Sequence, residues 1–351
     1  MLLSRSHSFA PMLEALRAGS RQQWRYHSHG RSQLASLAPP PPGHTRVVLM
    51  RHGESEFNTA NIFTGWCDVA LTPRGVVEAD EAGKVFLSNN LKFRVCYTSL
   101  LSRSISTAWR SLESAGVGWV NVIKDWRLNE RHYGALQGLS KERTAERLGR
   151  DKVMKWRRSF FARPPEMEPE HPHYSMIEED KRYERLRMTA GITKAESLED
   201  CQRRVVEAWE NSIMPSPYSP PDNTDPEDCI LVVAHANTLR ALIMHLDEIS
   251  VDEIESVNIP TAIPFYYDID NETGKVKAPN PGKFRGSYIS DDMTKRNFLE
   301  RRRAAQDPWL WALKDDDVEE EMLNRKTLEQ LTLEEEAARN TKIFGFKNQK
   351  P

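Results

Sequence analysis

A chain of 351 residues, 28% of them charged and with a formal net charge of −2, has the length of one large α/β domain with extensions, or of two small domains. That near-neutral balance gives no overall footprint for nucleic acid or an anionic membrane, and no apolar run approaches the length of a membrane span. Cys67, Cys96, Cys201 and Cys229 are scattered, with no C-x-x-C pair and no zinc-finger spacing, which reads as four reduced thiols in an intracellular protein.

Residues 1–42 open the chain with Arg5, Arg17, Arg21, Arg25 and Arg31 against the single acid Glu14, several Ser and a closing APPPP. An Arg- and Ser-rich, acid-poor leader has the composition of an organellar transit peptide, so a mitochondrial address is expected ahead of plastid or cytosol. A disordered tail without an address is the alternative. From 43 to 275, short apolar runs alternate with amphipathic stretches. RVVLM, FRVCYTS, VNVIKD and CILVVAH read as strands, and TAIPFYYDID closes the series. Thr72 followed by Pro73 is a strong helix start, and LLSRSISTAWRSLESAG and NTLRALIMHLDEI carry apolar residues at helical spacing. Strands alternating with helices predict an α/β fold: a three-layer αβα sandwich, its sheet mostly parallel and covered by helices on both faces. Such sheets place ligands at the carboxyl ends of their strands.

Within that domain, residues 159–195 form a Pro- and Glu-rich insertion (RPPEMEPEHPH) of the kind expected to be a lid or a disordered segment. Residues 276–351 form a charged extension, expected to be helical or partly disordered, as a solvated helix rather than an acidic interaction motif.

Two strands end in the same way. VVLM runs into Arg51, His52, Gly53 and Glu54, while ILVVA runs into His235, Ala236 and Asn237 at the start of a helix. A third strand leads to Arg103, one helical turn beyond its end. Arg51, Arg103, Lys141, Arg157 and Arg158 are the cations expected at this edge. Positive neighbours keep an imidazole neutral and nucleophilic, and the same cations cage a phosphate. His52 is therefore a candidate phosphoryl acceptor, with His235 stabilising charge across the transferring group. Glu130, in LNERHYGALQGL, is the candidate general acid, and Glu54 reads as a hydrogen-bonding residue of the strand-exit turn. A metal site built from His52, His235, Glu54 and Glu130 is the rival; the surrounding arginines would repel a cation.

The longer strings resemble the cofactor-dependent phosphoglycerate mutases of the histidine phosphatase superfamily. LMRHGESEFNTANIFTGWCDVALTPRG, YTSLLSRSISTAW, WRLNERHYGALQGLSKERTAERLG, KWRRSF and VVAHANTLRAL occur in family order between residues 46 and 270. The resemblance implies an isomerase that interconverts 3- and 2-phosphoglycerate in glycolysis and gluconeogenesis. It also implies a phosphohistidine primed by 2,3-bisphosphoglycerate, no metal, and a homodimer or homotetramer. Carried over residue by residue, it makes His52 the nucleophile and Glu130 the proton donor and acceptor, with Arg51, Arg103 and His235 around the phosphoryl group. Ser55, Asn58, Thr64, Gly65, Tyr133, Lys141, Arg157, Arg158, Ala236 and Asn237 match positions that hold the substrate's phosphate and carboxylate. Ala236 stands where the family often has Gly, at a cost on the order of 1 kcal/mol if the position needs a positive φ. The family's short mobile tail is replaced here by a far longer charged one. The rivals are a phosphatase in which water takes the phosphoryl group, against which NERHYGALQG and Lys141 speak; a bisphosphoglycerate synthase, which sequence separates poorly from the mutase; and a non-catalytic scaffold that binds through its tail, against which the intact His52, Glu130, His235 and Arg set speaks.

Overall fold

All the runs expected as strands pair in one sheet. The computed structural model describes residues 37–215, 228–276 and 284–289; the expected leader before residue 37, and the extension at 277–283 and beyond 289, lie outside the described residues. The strands are β1 (His44–Arg51), β2 (Lys92–Thr98), β3 (Val122–Lys124), β4 (Asp228–Ala234), β5 (Phe265–Asp270) and β6 (Ser287–Tyr288), in the order β3-β2-β4-β1-β5-β6. β1 and β2 both run parallel to β4, and β3 runs parallel to β2. β5 pairs antiparallel with β1, and β6 with β5, so one side of a mostly parallel sheet is reversed.

β1 shows why the sequence builds three layers. Val47, Val48, Leu49 and Met50 are all fully buried, because the strand has helices on both faces and needs no polar alternation. Val47 and Leu49 pack with Leu198 and Val205 of one helix and Leu239 and Leu242 of another. Val48 and Met50 pack on the opposite face with Val85, Phe86, Ala108 and Leu112. The alternation of side chains along a strand thus feeds two separate cores. Truncating a residue such as Leu49 to Ala would cost about 2–5 kcal/mol.

The helices are α1 (Glu56–Thr59), α2 (Pro73–Ser88), α3 (Ser102–Ser114), α4 (Lys141–Leu148), α5 (Arg150–Arg158), α6 (Tyr174–Glu178), α7 (Glu184–Thr189), α8 (Leu198–Ala208), α9 (Ala236–Asp247) and α10 (Val251–Ile254). α2 begins as its sequence demands: Thr72 accepts a hydrogen bond from the Gly75 N–H, and Pro73 fills the first helical position. α8 starts at a capping box in which Ser197 and Asp200 satisfy each other's backbone N–H groups.

The segment 159–195 is ordered, which removes the disordered one of the two forms expected for it. It folds into α6, α7 and a short 3₁₀ turn at Lys181–Tyr183, closed around Met167, Ile177, Tyr183 and Leu186. Trp66, from the loop after α1, fills the middle of that cluster and stacks on Tyr183 with ring centroids 4.9 Å apart. Arg182 ties the segment to Asp68 at 2.5 Å. Its proline-rich entry is therefore an ordered strap, because an aromatic residue from elsewhere supplies the core that its own sequence lacks.

Candidate active site

The register of β1 against β4 pairs Arg51 with Ala234, so the next residues, His52 and His235, leave the sheet side by side. The backbone ladder continues one step further, with the His52 N–H donating to the Ala234 carbonyl at 3.0 Å. The two imidazoles face each other with centroids 5.0 Å apart. Immediately after His52 the chain passes under the start of α2: a Cβ on Gly53 would lie 2.3 Å from the Gly75 carbonyl oxygen, so neither glycine has room for a side chain. Glu54 turns away from the site, accepting from the Thr72 hydroxyl at 2.8 Å, which is the structural role expected of it.

His52 is 3% exposed, and its Nδ1 lies 2.7 Å from the Gly53 carbonyl oxygen. A carbonyl only accepts, so Nδ1 carries the proton and Nε2 keeps a free lone pair. Burial, then Arg103 and Arg51, hold its pKa well below the usual imidazole value, so the ring is neutral at physiological pH. His235 is fully buried and is pushed the same way by burial, Arg103, His52 and Arg51. Its Nε2 lies 2.8 Å from the Ser99 hydroxyl.

Around the pair stands a set of cations held by main-chain carbonyls. Arg51 donates to the Ile259 carbonyl at 3.0 Å. Arg103 donates to the carbonyls of Gly65 and Cys67, each at 2.9 Å, which fixes it to the loop that contains Thr64 and Gly65. Gly65 has φ +53°, and a Cβ there would strike Gln137. Arg131 and Arg240 converge on the last turn of α5: Arg131 donates to the Trp156 carbonyl at 2.6 Å, and Arg240 to the Arg158 carbonyl at 3.3 Å. These two buried cations neutralise the negative end of α5 where it presents Arg157 and Arg158. Burial lowers Arg103 to about 10, and burial with neighbouring cations lowers Arg240 to about 9 and Lys141 to about 7.

Glu130 is the carboxylate among them. Its Oε1 accepts from the N–H groups of Arg131 at 2.8 Å and of Asn237 at 3.2 Å. The main chain that carries it is pinned by Trp66, whose indole donates to the Glu130 carbonyl at 2.7 Å, and by Arg204, which reaches the carbonyls of Arg127, Asn129 and Glu130. Arg204 is itself locked by Glu196 at 2.7 Å in a buried pair. Asn237 links the two halves of the site, since its amide donates to the Tyr133 hydroxyl at 3.1 Å and its carbonyl accepts from Arg240 at 2.9 Å.

Of the residues singled out from the sequence, His52, His235, Arg51 and Arg103 form one group. Glu130, Tyr133, Lys141, Arg157, Arg158 and Asn237 join it through hydrogen bonds and mutual charge. Ser55 and Asn58 instead bond to each other at the start of α1. Ala236 opens α9 and is not among the described residues with positive φ, so its methyl carries no left-handed penalty. Sequence reasoning missed Ser99, Arg131, Glu196, Arg204 and Arg240. Arg240 had a signal: it is a lone cation inside the apolar run of α9, three positions after Asn237.

The chemistry this set suits is anion chemistry. Among the described residues, the buried nitrogens without a hydrogen-bond partner include Arg51 Nε, Arg103 Nε, Arg131 Nε and Nη1, Arg240 Nε and His235 Nδ1. The guanidinium donors among them are costly to bury unless an anion meets them. Also among the described residues, no group of three or more His, Cys, Asp or Glu side chains is placed to hold a metal ion.

Comparison with known proteins agrees with this geometry. The family model for the histidine phosphatase superfamily (branch 1) matches residues 47–175 and 167–281. A 2,3-bisphosphoglycerate-dependent phosphoglycerate mutase of Rhodococcus opacus (strain B4) is 44% identical over 246 residues, which cover 70% of this chain and 91% of that protein. The protein of the same description from Corynebacterium kroppenstedtii is 44% identical over 247 residues, covering 70% and 92%. Among solved structures, a mycobacterial hydrolase has TM-score 0.51 at 21% identity, covering 68% of this chain and all of that one. A mycobacterial glucosyl-3-phosphoglycerate phosphatase has TM-score 0.50 at 20% identity, covering 68% and 99%. At that identity the structures speak for the fold.

Proposed function

Because the chain belongs to the histidine phosphatase superfamily (branch 1), and within it to the 2,3-bisphosphoglycerate-dependent phosphoglycerate mutases, we propose that it interconverts 3- and 2-phosphoglycerate through a phosphohistidine at His52. The observation that carries the mechanism is the His52 tautomer, with Nδ1–H tied to the Gly53 carbonyl and Nε2 left as a lone pair inside a cage of arginines.

When bound, 2,3-bisphosphoglycerate supplies the phosphoryl group that primes the enzyme. The unpartnered guanidinium donors on Arg51, Arg103, Arg131 and Arg240 fit such a polyanion. His52 Nε2 carries the phosphoryl group as an N–P bond. In the forward step, the 2-hydroxyl of 3-phosphoglycerate attacks that phosphorus, the N–P bond breaks, and the electron pair returns to Nε2. The hydroxyl proton passes to the Glu130 carboxylate. In the return step, Nε2 attacks the 3-phosphoryl group, and the departing alkoxide takes the proton back from Glu130. Arg51, Arg103 and His235 stabilise the charge on the phosphoryl oxygens. Lys141, Arg157, Arg158, Tyr133 and Asn237 hold the glycerate's remaining anionic groups, with Ser55, Asn58, Thr64, Gly65 and the Ala236 N–H as further contacts. The rigid mount matters because the bisphosphorylated intermediate must turn over while the nucleophile stays still.

The test is turnover of 3-phosphoglycerate by the purified protein, assayed through enolase, with and without added 2,3-bisphosphoglycerate and with chelator confined to the mutase step. Bisphosphate-stimulated, chelator-resistant 2-phosphoglycerate is expected. His52→Ala should lose about 10⁴-fold or more of this activity, together with the acid-labile phosphoryl label. Free phosphate without 2-phosphoglycerate would make water the acceptor and the protein a phosphatase.

Two further features belong to this reading. A homodimer or homotetramer is supported by Trp109 of α3 and Trp119, 59% and 78% exposed, the latter three residues before β3 at the end of the sheet. Light scattering on Trp109→Glu should then report a smaller species than the parent. A mitochondrial address is supported by the composition of residues 1–42 alone. A reporter fused to them should enter mitochondria, and a diffuse cytosolic signal would remove that assignment.

A further inference from the structure

His52 and His235 present opposite nitrogens. His52 uses Nδ1 to donate to a carbonyl, whereas His235 engages Ser99 through Nε2 and leaves Nδ1 buried without a partner. Ser99 follows β2, is fully buried, and its hydroxyl has two partners, one main-chain and one side-chain. Its Oγ accepts from the Leu101 N–H at 3.1 Å and lies 2.8 Å from His235 Nε2. The Leu101 N–H occupies a lone pair, which leaves the hydroxyl hydrogen to be placed.

Two arrangements are possible. If Nε2–H donates to Ser99, the buried hydroxyl hydrogen has no acceptor, and Nδ1 turns a lone pair toward its surroundings. If the Ser99 O–H donates to Nε2, a single donor, Nδ1–H, stays unmatched. Each arrangement strands one buried donor, at about 1–3 kcal/mol, but the first strands the Nδ1 acceptor as well, which favours the second. Phosphoryl oxygens only accept, so the second is also the one that is useful beside His52.

We propose that Ser99 is a positioning residue that fixes His235 as the Nδ1–H tautomer, making this ring a hydrogen-bond donor to the phosphoryl group carried by His52. The identity of the accepting group rests on the phosphohistidine reading; the tautomer does not.

The test is long-range proton–nitrogen correlation on the full chain with isotope-labelled histidine, ligand-free, with the His235 signals assigned by their loss in His235→Gln. The expected spectrum has Nδ1 protonated and Nε2 bare. In Ser99→Ala, His235 should shift toward Nε2–H and kcat should fall about 10–100-fold while KM for 3-phosphoglycerate holds. Ser99→Thr, which keeps the hydroxyl, should restore both. An Nε2–H ring in the parent protein, or Ser99→Ala with unchanged tautomer and kcat, would overturn the proposal. Should Ser99→Ala fail to fold, the parent spectrum decides alone. A parent protein that releases phosphate but makes no 2-phosphoglycerate would defeat the mutase reading and leave the tautomer to be judged on its spectrum.

Discussion

His52 and His235 share one cationic field, yet what each ring does is set by a neighbour within hydrogen-bond reach. The residues that announce themselves in the sequence are those whose placement is odd for their type, such as an imidazole closing an apolar strand. Arg131 is silent, because its meaning comes from a carbonyl of α5 that reaches it only in the folded chain. Lys141 gives a sharp prediction at this scale. Burial, Arg157 and Arg51 lower its ammonium to about 7, so in the free enzyme its charge is present below that pH and is lost above it. The Lys141 limb of kcat/KM should therefore fall as pH rises through about 7. The limb should be weaker in kcat, because a bound anion restores the proton. Lys141→Arg should move that limb beyond the working range, and Lys141→Met should abolish it while raising KM by about 10–100-fold. Matched pH–rate profiles of the three proteins decide it.

At the scale of elements, legibility followed burial pattern. Strands buried on both faces read as unbroken apolar runs, and α2 was marked by Thr72 and Pro73, both local signals. The segment 159–195 was illegible for the converse reason. Met167, Ile177, Tyr183 and Leu186 are too far apart to set a period, and Trp66, which gathers them, comes from another part of the chain. α8 carried a usable signal in Ser197 and Asp200, three positions apart, with apolar Leu198, Cys201 and Val205 at helical spacing. The end of α9 offers a stability prediction. Its C-cap, Glu248, is exposed and sits at φ 53° and ψ 39°, a left-handed conformation that a side chain resists and glycine accepts. Glu248→Gly should stabilise the protein by about 1 kcal/mol, raising Tm by about 2–4 °C for a domain of this size. Glu248→Ala keeps the backbone strain and should give no such gain, so paired thermal melts separate relief of strain from loss of charge.

For the whole molecule, strand and helix order predicted a parallel, two-faced sheet, but the order β3-β2-β4-β1-β5-β6 and the reversed β5 and β6 depend on which long connections close, and no local pattern records that. The order nonetheless determines the chemistry, since β4 lying beside β1 is what brings the two histidines together. Assembling that site also leaves a global signature in acid. Burial, first among several causes, lowers His52 and His235 well below their usual value and His132 to about 4. In the unfolded chain all three titrate near 6.5. Below that pH the unfolded state binds more protons than the folded one, so stability is full above about 6.5 and drains as pH falls toward 4. Each imidazole contributes about 1.4 kcal/mol per pH unit once its unfolded form is charged, or about 4 kcal/mol per unit for the three together. Carboxylates held low by partners, such as Asp80 beside Arg110 and Asp180 beside Arg182, add to the loss only at lower pH. Urea melts between pH 6 and 5 therefore isolate the imidazoles. The ligand-free protein should lose stability steeply there, and His52→Gln should reduce the slope by one proton's worth. A flat profile would mean that the histidines are already charged in the fold, and His52 could not then be the waiting nucleophile.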